Sequence, residues 1–255
     1  MTDSLDGTVA LVTGASSGIG QAAALDLARH GARVALVARR TDRLEELAGQ
    51  IGSEVGADAL TLTADVTDRE QAQRAVAQAA EHFGRLDTVV NNAGVMLLGP
   101  AVDAPLEEWE RMVQLNVTGL LYVAHASLPH LLRAAEAGPR QVADLVNISS
   151  VAGRVARNGS AVYNATKHAV GAFSEGLRQE VARRHVRVSL VEPGAVATEL
   201  ASHNRPEVQE GMNRRFEGME RMEAEDIAEA ISFVVTRRRR VAVNEVLVRP
   251  TEQEG

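Results

Sequence analysis

Tyr163 and Lys167 stand four residues apart in "AVYNATKHAV" (161–170), and Lys167 is the only lysine in the chain. The rest of the 27 Lys and Arg residues are arginine, and Tyr122 is the only other tyrosine. On a helix, an i, i+4 spacing puts both side chains on one face, one turn apart. A nearby ammonium favours phenolate, so the spacing predicts a tyrosine pKa lowered from about 10 toward working pH. A phenol tuned in this way can give a proton to a carbonyl oxygen or take one from an alcohol. Arginine is bulkier, and its fork suits carboxylate or phosphate; a compact ammonium can donate to ribose hydroxyls while standing beside the tyrosine. A bare Y-x-x-x-K is a weak motif, so the pair gains meaning only from what surrounds it.

A second chemical feature follows the first apolar run. "TVALVTGASSGIG" places Gly14, Gly18 and Gly20 directly after a strand pattern and at the start of a helical one. Glycines there permit a tight turn and close approach of a pyrophosphate, and a helix N-terminus offers free N–H groups. The spacing is G-x-x-x-G-x-G rather than G-x-G-x-x-G. The next strand pattern ends in Ala38, Arg39 and Arg40, where an NAD site carries an acidic residue for the ribose 2′-hydroxyl. Two guanidiniums there favour a 2′-phosphate, hence NADP. The plain alternative is that both arginines are solvated surface charges. Asp42 lies too late in the chain to be the usual ribose partner.

Positioning these groups requires a scaffold, and the apolar runs supply one. Runs at 8–13, 33–38, 59–64, 86–90, 143–148, 187–192 and 243–248 read as strands buried on both faces. Helical patterns lie between them; one closes at Gly31 and another at Gly84. Alternating strand and helix predicts right-handed βαβ units and a parallel sheet in one domain spanning 1–255. The loosest stretch is 199–222, which is polar and broken by Pro206 and Gly211. It reads as a substrate-binding loop, with a disordered surface loop as the alternative.

Composition excludes several classes. The chain has 255 residues, 45% of them hydrophobic and 24% charged, as expected of a globular protein. A net charge of −7 speaks against a nucleic-acid partner. The Arg237–Arg240 run reads as a solvated turn at a helix C-terminus. No cysteine is present, which removes disulfides and thiolate chemistry and fits a cytoplasmic home. No apolar run is long enough to span a membrane, and the N-terminus does not read as a signal peptide. No metal is called for.

With these pieces in place, the chain resembles the short-chain dehydrogenases/reductases along nearly its whole length. The resemblance rests on "TGASSGIG", "ADV" (64–66), "NNAG" (91–94), "LNVTG" (115–119), "NISS" (147–150), "YNATK" (163–167) and "PGAVAT" (193–198), in that order. It implies a doubly wound Rossmann-type α/β fold with strand order 3-2-1-4-5-6-7. It also implies hydride transfer between a nicotinamide and a carbonyl carbon. Tyr163 would serve as general acid/base, Ser150 as hydrogen-bond donor to the oxygen, and Lys167 as ribose ligand. Asn116 would hold a proton-relay water. Ser150 lies thirteen residues before Tyr163; Ser149 is the less favoured neighbour.

By the same resemblance, Gly14, Ser16, Ser17, Gly18, Ile19 and Gly20 hold the pyrophosphate side, with Arg39 and Arg40 at the 2′-phosphate. Asp65 and Val66 contact adenine, and Asn92, Ala93 and Gly94 line the adenosine side. Asn91 and Asn92 have a plain alternative as satisfiers of turn backbone. Asn147 reads as structural and Tyr122 as core. Pro193, Gly194, Val196 and Thr198 sit at the pyrophosphate and carboxamide. The substrate pocket is expected at Met96, Leu97, Ser150, Val151, Gly194 and the 199–222 segment. Arg154 is a candidate for an anionic substrate group, or else a surface charge.

The ending "VNEVLVRPTEQEG", with "VMLLGP", "LRQEV" and "AGRV" followed by "RN", is similar to one subgroup of the family. It contains clavulanic acid dehydrogenase and NADP-dependent 3-hydroxy acid (serine-type) dehydrogenases. The implied partner is a small-molecule carbonyl or alcohol. The implied assembly is a homotetramer, or a dimer, through the helices after strands four and five. Two other readings stand beside a reductase: a redox sensor that binds NADP without chemistry, and an isomerase or epimerase that uses NADP without net turnover.

Overall fold

The computed structural model describes residues 4–254. Seven strands form one all-parallel sheet: β1 (Val9–Thr13), β2 (Arg33–Ala38), β3 (Ala59–Thr63), β4 (Thr88–Asn91), β5 (Ala143–Ile148), β6 (Val186–Pro193) and β7 (Glu245–Val248). Their order is β3-β2-β1-β4-β5-β6-β7. β1, β4, β5 and β6 are buried at every residue, which is why each reads as an unbroken apolar run. β7 is the sheet edge and alternates exposed with half-buried residues.

The helices divide between the two faces. α1 (Gly18–Arg29), α2 (Thr41–Val55) and α8 (Ala224–Val235) pack with Leu27, Leu47, Ile51 and Ile231 on one side. α3 (Arg69–Phe83), α5 (Leu120–Ala137) and α6 (Ala161–Val181) pack with Val76, Phe83, Leu131 and Leu177 on the other. α4 (Leu106–Val113) runs into α5 through a π-helical segment, Gln114–Gly119. α3 is capped by Asp68, whose carboxylate accepts from Gln71 N at 3.0 Å. It ends at Gly84, whose φ of 75° is the left-handed stop that glycine allows.

The 199–222 stretch is not an unstructured loop. A 3₁₀ segment (Glu199–His203) leads into α7 (Pro206–Arg215). Pro206 begins this helix instead of interrupting it, because a proline at the first helical position lacks only an N–H that would be unbonded anyway. Asn204, 6% exposed, pins the segment down: its Oδ1 accepts from Leu98 N, and its Nδ2 donates to Met96 O and Ala201 O. No helix among the described residues is long and apolar enough to cross a membrane. The 237–240 run follows α8, with Arg238, Arg239 and Arg240 exposed.

Candidate active site

The sheet order reverses between β1 and β4, and in such sheets the crevice beyond the strand C-termini is where ligands sit. A cavity of ≈ 480 Å³ opens there. Gly14, Ser16, Ser17, Gly18 and Ile19 line it from the turn after β1. Gly14 and Gly18 have φ of 66° and 54°, so both need glycine for conformation. A Cβ on Gly14 would stand 2.9 Å from Ala93 Cα. The N-cap residue of α1, Ser17, makes no side-chain cap, so it leaves the first amides of a helix whose start lines the crevice open to a ligand. A narrow turn, open amides and a cavity of this size fit a dinucleotide.

Gly20 does not line the cavity. A Cβ there would meet Asn92 Nδ2 and the Gly14 carbonyl, so this glycine lets the helix pack against the turn. Asn92 lines the cavity and also clamps it, donating from Nδ2 to Thr13 O at 3.0 Å. Asn91 turns inward: its Nδ2 donates to Asn147 Oδ1 at 2.9 Å, and Asn147 donates to Ser174 Oγ. Both are structural.

Arg39, Arg40, Asp65 and Val66 line the cavity, as do Ala93 and Gly94. Arg39 is extended into solvent, 3.9 Å from Asp65. Arg40 donates to Ser16 and to Glu199. Pro193, Gly194, Val196 and Thr198 line the far wall.

Tyr163 and Lys167 fall on the first two turns of α6, with Ser150 across from them at the end of β5. All three line the cavity. Tyr163 is 6% exposed, and burial pushes its phenol up to about 12; the hydrogen bond with Ser150 acts in the opposite direction. The expected lowering by Lys167 is therefore corrected. The ammonium lies 5.8 Å from the ring centroid, and burial sets the direction of the shift. Burial also brings Lys167 down to about 8. Its Nζ donates to the Ile148 carbonyl at 2.8 Å and forms no ion pair among the described residues.

The two serines separate cleanly. Both line the cavity, but Ser149 is buried and donates to the Lys167 carbonyl at 3.1 Å, whereas the Ser150 hydroxyl accepts from Ala152 N at 3.1 Å, donates to the Pro193 carbonyl at 3.4 Å and acts to lower the Tyr163 pKa. Asn116 does not line the cavity. Its amide is taken up by Val95 N and O, both at 2.8 Å, and by Thr166 Oγ1. This side chain positions the strand-four loop against the π-helical segment.

On the substrate side Met96, Val151 and Gly194 line the cavity, but Leu97 does not. Leu97 packs with Val95, Met112 and Tyr163, while its neighbour Leu98 faces the cavity. Arg154 is also displaced from its expected role. Its Nε and Nη2 grip Glu192 at 2.6–2.9 Å, Nη2 bonds Glu245, and the residue does not line the cavity. Those partners lie 38 and 91 residues away, brought together by the β6–β7 pairing. The cavity wall instead carries Arg157, His203 and Arg221, which sequence reasoning did not single out. Arg157 sits in the loop that Asn164, next to Tyr163, ties to α6 by accepting from Arg157 N at 3.2 Å. Neither Arg157 nor Arg221 forms an ion pair among the described residues. Burial, ahead of nearby arginines, lowers the His203 pKa.

Comparison with known proteins agrees with this geometry. The family described as short chain dehydrogenase matches residues 8–209. An oxidoreductase of Staphylococcus aureus (strain MRSA252), uncharacterised as to activity, is 36% identical over 95% of this chain and 96% of its own. A relative from Staphylococcus epidermidis (strain ATCC 12228) is 37% identical over the same shares. A serine dehydrogenase complexed with NADP+ superposes with a TM-score of 0.87 at 31% identity, covering 97% of both chains. A 3-ketoacyl-(acyl-carrier-protein) reductase from Brucella melitensis complexed with NADH gives 0.85 at 31%, covering 97% of this chain and 99% of the other.

Proposed function

Because the chain belongs to the short-chain dehydrogenase family, and is thus an oxidoreductase, we propose that it reduces an aldehyde or ketone reversibly with NADP(H). The observation that carries this reading is Tyr163, buried on the wall of the cavity that Ser150 and Lys167 also line. A protonated phenol is a proton donor, which is what carbonyl reduction requires. When bound, the nicotinamide supplies the hydride. The carbonyl oxygen accepts from Ser150 and Tyr163, and Tyr163 passes its proton to the developing alkoxide. Lys167, fixed by Ile148, presents its ammonium toward the same end of the cleft. Gly14, Ser17 and Gly18 would hold the pyrophosphate, and Arg39 and Arg40 the 2′-phosphate that favours NADP.

For the substrate, Arg157 and Arg221 replace Arg154 as the cations that can meet a carboxylate. Together with the similarity to clavulanic acid and 3-hydroxy acid dehydrogenases, they support a carbonyl acid. A homotetramer fits Leu106, Val113 and Leu121, left exposed on α4 and α5; a cytoplasmic home fits the lack of cysteine. The test is oxidation of NADPH and of NADH with aldehydes, ketones and β-keto acids. Turnover with NADPH alone supports both parts of the reading. Equal use of NADH removes the cofactor argument. Cofactor binding without net NADPH consumption, across the panel, favours the sensor or the isomerase.

A further inference from the structure

Arg40 follows the end of β2, and Glu199 opens the 3₁₀ segment that leads into α7. Arg40 Nη1 and Nη2 both donate to Glu199 Oε2 at 3.1 Å. Its Nε and Nη2 also donate to the hydroxyl and carbonyl of Ser16, at 3.2 and 3.3 Å. One guanidinium thus joins the phosphate turn, the end of β2 and the first residue of the 199–215 segment. Ser16, Arg40 and Glu199 all line the cavity. Hydrogen bonding from Arg40 holds the Glu199 carboxyl below the usual carboxylate range, so it is an anion at neutral pH.

We propose that Glu199 is a specificity-determining residue: it competes with the 2′-phosphate of NADP(H) for Arg40, and recognition of that phosphate unties the 199–215 segment from the phosphate turn. The inference rests on the NADP reading above. A phosphomonoester offers close to two negative charges and three acceptor oxygens, against the single carboxylate oxygen that Arg40 now engages. Arg40 turns to it as a bidentate donor, leaving Glu199 beside an anion that repels it. With NAD(H), which lacks the phosphate, Arg40 stays on Glu199 and the segment stays tied. By linkage, the factor by which Glu199 weakens phosphate binding equals the factor by which the phosphate loosens the segment. The side chains of the pair are 44% and 52% exposed, so that factor is about 2–5-fold.

The probes are adenosine 2′,5′-bisphosphate and 5′-AMP, which differ only in the 2′-phosphate. Titration calorimetry on the full chain should show Glu199→Gln binding the bisphosphate about 2–5-fold more tightly than wild type, with 5′-AMP unchanged. Hydrogen exchange across 199–215 should speed up in wild type with the bisphosphate and not with 5′-AMP. In Glu199→Gln it should be fast with either. Unchanged bisphosphate affinity in Glu199→Gln, or equal exchange with both nucleotides, overturns the role of Glu199. If wild type binds both nucleotides equally, the NADP reading falls and this inference with it. If wild type prefers the bisphosphate and the variant changes nothing, only the inference falls.

Discussion

At the N-terminal ends of β5 and β6, the buried carboxylate of Asp144 meets two arginines; at the C-terminal end of β5, the buried ammonium of Lys167 meets a carbonyl. Asp144 and Arg187 are register partners on neighbouring strands, bonded at 2.6 and 2.9 Å. Arg187 also donates to the carbonyls of Val235, Arg237 and Val241, and Arg140 adds donors to Asp144 and Val235. Nearly every polar atom there has a partner, and the result ties the end of α8 to the sheet. Lys167 and Tyr163 lack this compensation. Burial pushes Asp144 and Arg140 toward their neutral forms as it does Lys167 and Tyr163, but only Lys167 and Tyr163 face the cavity. Both ends carry buried charge, but the end with spare bonding capacity is the one built to act on a ligand.

The comparison can be broken most sharply at Tyr163. Tyr163→Phe removes the proton donor and leaves the ring packed, so kcat for carbonyl reduction should fall by about 10²–10⁴-fold with the melting temperature nearly unchanged. A steady-state assay beside a thermal melt checks both halves. The opposite pattern belongs to Arg187. Arg187→Met leaves Asp144 short of its main partner and should destabilise the protein by about 3–5 kcal/mol in denaturant melts. Turnover per folded molecule, measured well below the transition, should stay within about twofold, because the change lies at the far end of the strands. Loss of turnover at full folding in Arg187→Met would dissolve the distinction between the two ends.

Much of this contrast was legible in the sequence, for physical reasons that differ by residue. β2 and β5 read correctly to the residue because both faces of each are buried and the apolar run has nowhere to stop early. Tyr163 and Lys167 were legible through their i, i+4 spacing and Ser150 through the family resemblance, and all three line one cavity. α7 was not legible, since Pro206 signals a break and a helix start alike. Arg154 follows its surface-charge alternative, and its partners depend on the register between β6 and β7, which no local pattern encodes. Arg157 and Arg221 escaped for the same reason: only the closed fold turns them toward the cleft. The Asp144–Arg187 bond was hidden too, as two charges inside apolar strand patterns, 43 residues apart.

A pH titration sharpens the Lys167 side. Its folded pKa of about 8 lies below the ordinary 10.5, so the unfolded chain binds more protons between those values. Stability should therefore rise with pH through that window, and the full cost is borne below pH 8. A shift of this size corresponds to roughly 3 kcal/mol. Lys167→Met removes the titrating group. The stability of wild type relative to Lys167→Met should increase by up to that amount between pH 7.5 and 10.5, read from urea melts at each pH. Tyr163 has the opposite sign, because its raised pKa costs stability as pH climbs from 10 to 12, but it is present in both proteins and cancels in the difference. A flat difference would mean that Lys167 finds compensation that the Ile148 carbonyl alone does not supply.

The smallest effect is expected at Ser149, and it tests the comparison at its finest grain. Ser149 and Ser150 are adjacent and both line the cavity, yet Ser149 bonds the backbone of α6 while Ser150 acts on the Tyr163 phenol. Ser149 donates to the Lys167 carbonyl, a helix acceptor on α6, and is 3% exposed. Ser149→Ala should cost about 1 kcal/mol, the net worth of one buried hydrogen bond. It should leave kcat within about twofold, because alanine fits a helix-facing site and removes nothing from the reacting oxygen. Ser150→Ala also loses a cap to Ala152 N, about 1 kcal/mol, but its turnover should fall far more than that of Ser149→Ala, since it deletes a donor to the carbonyl oxygen. If Ser149→Ala lowers kcat as much as Ser150→Ala, then the position of Lys167 is so finely set by its own backbone that the structural and catalytic ends of this site are one unit.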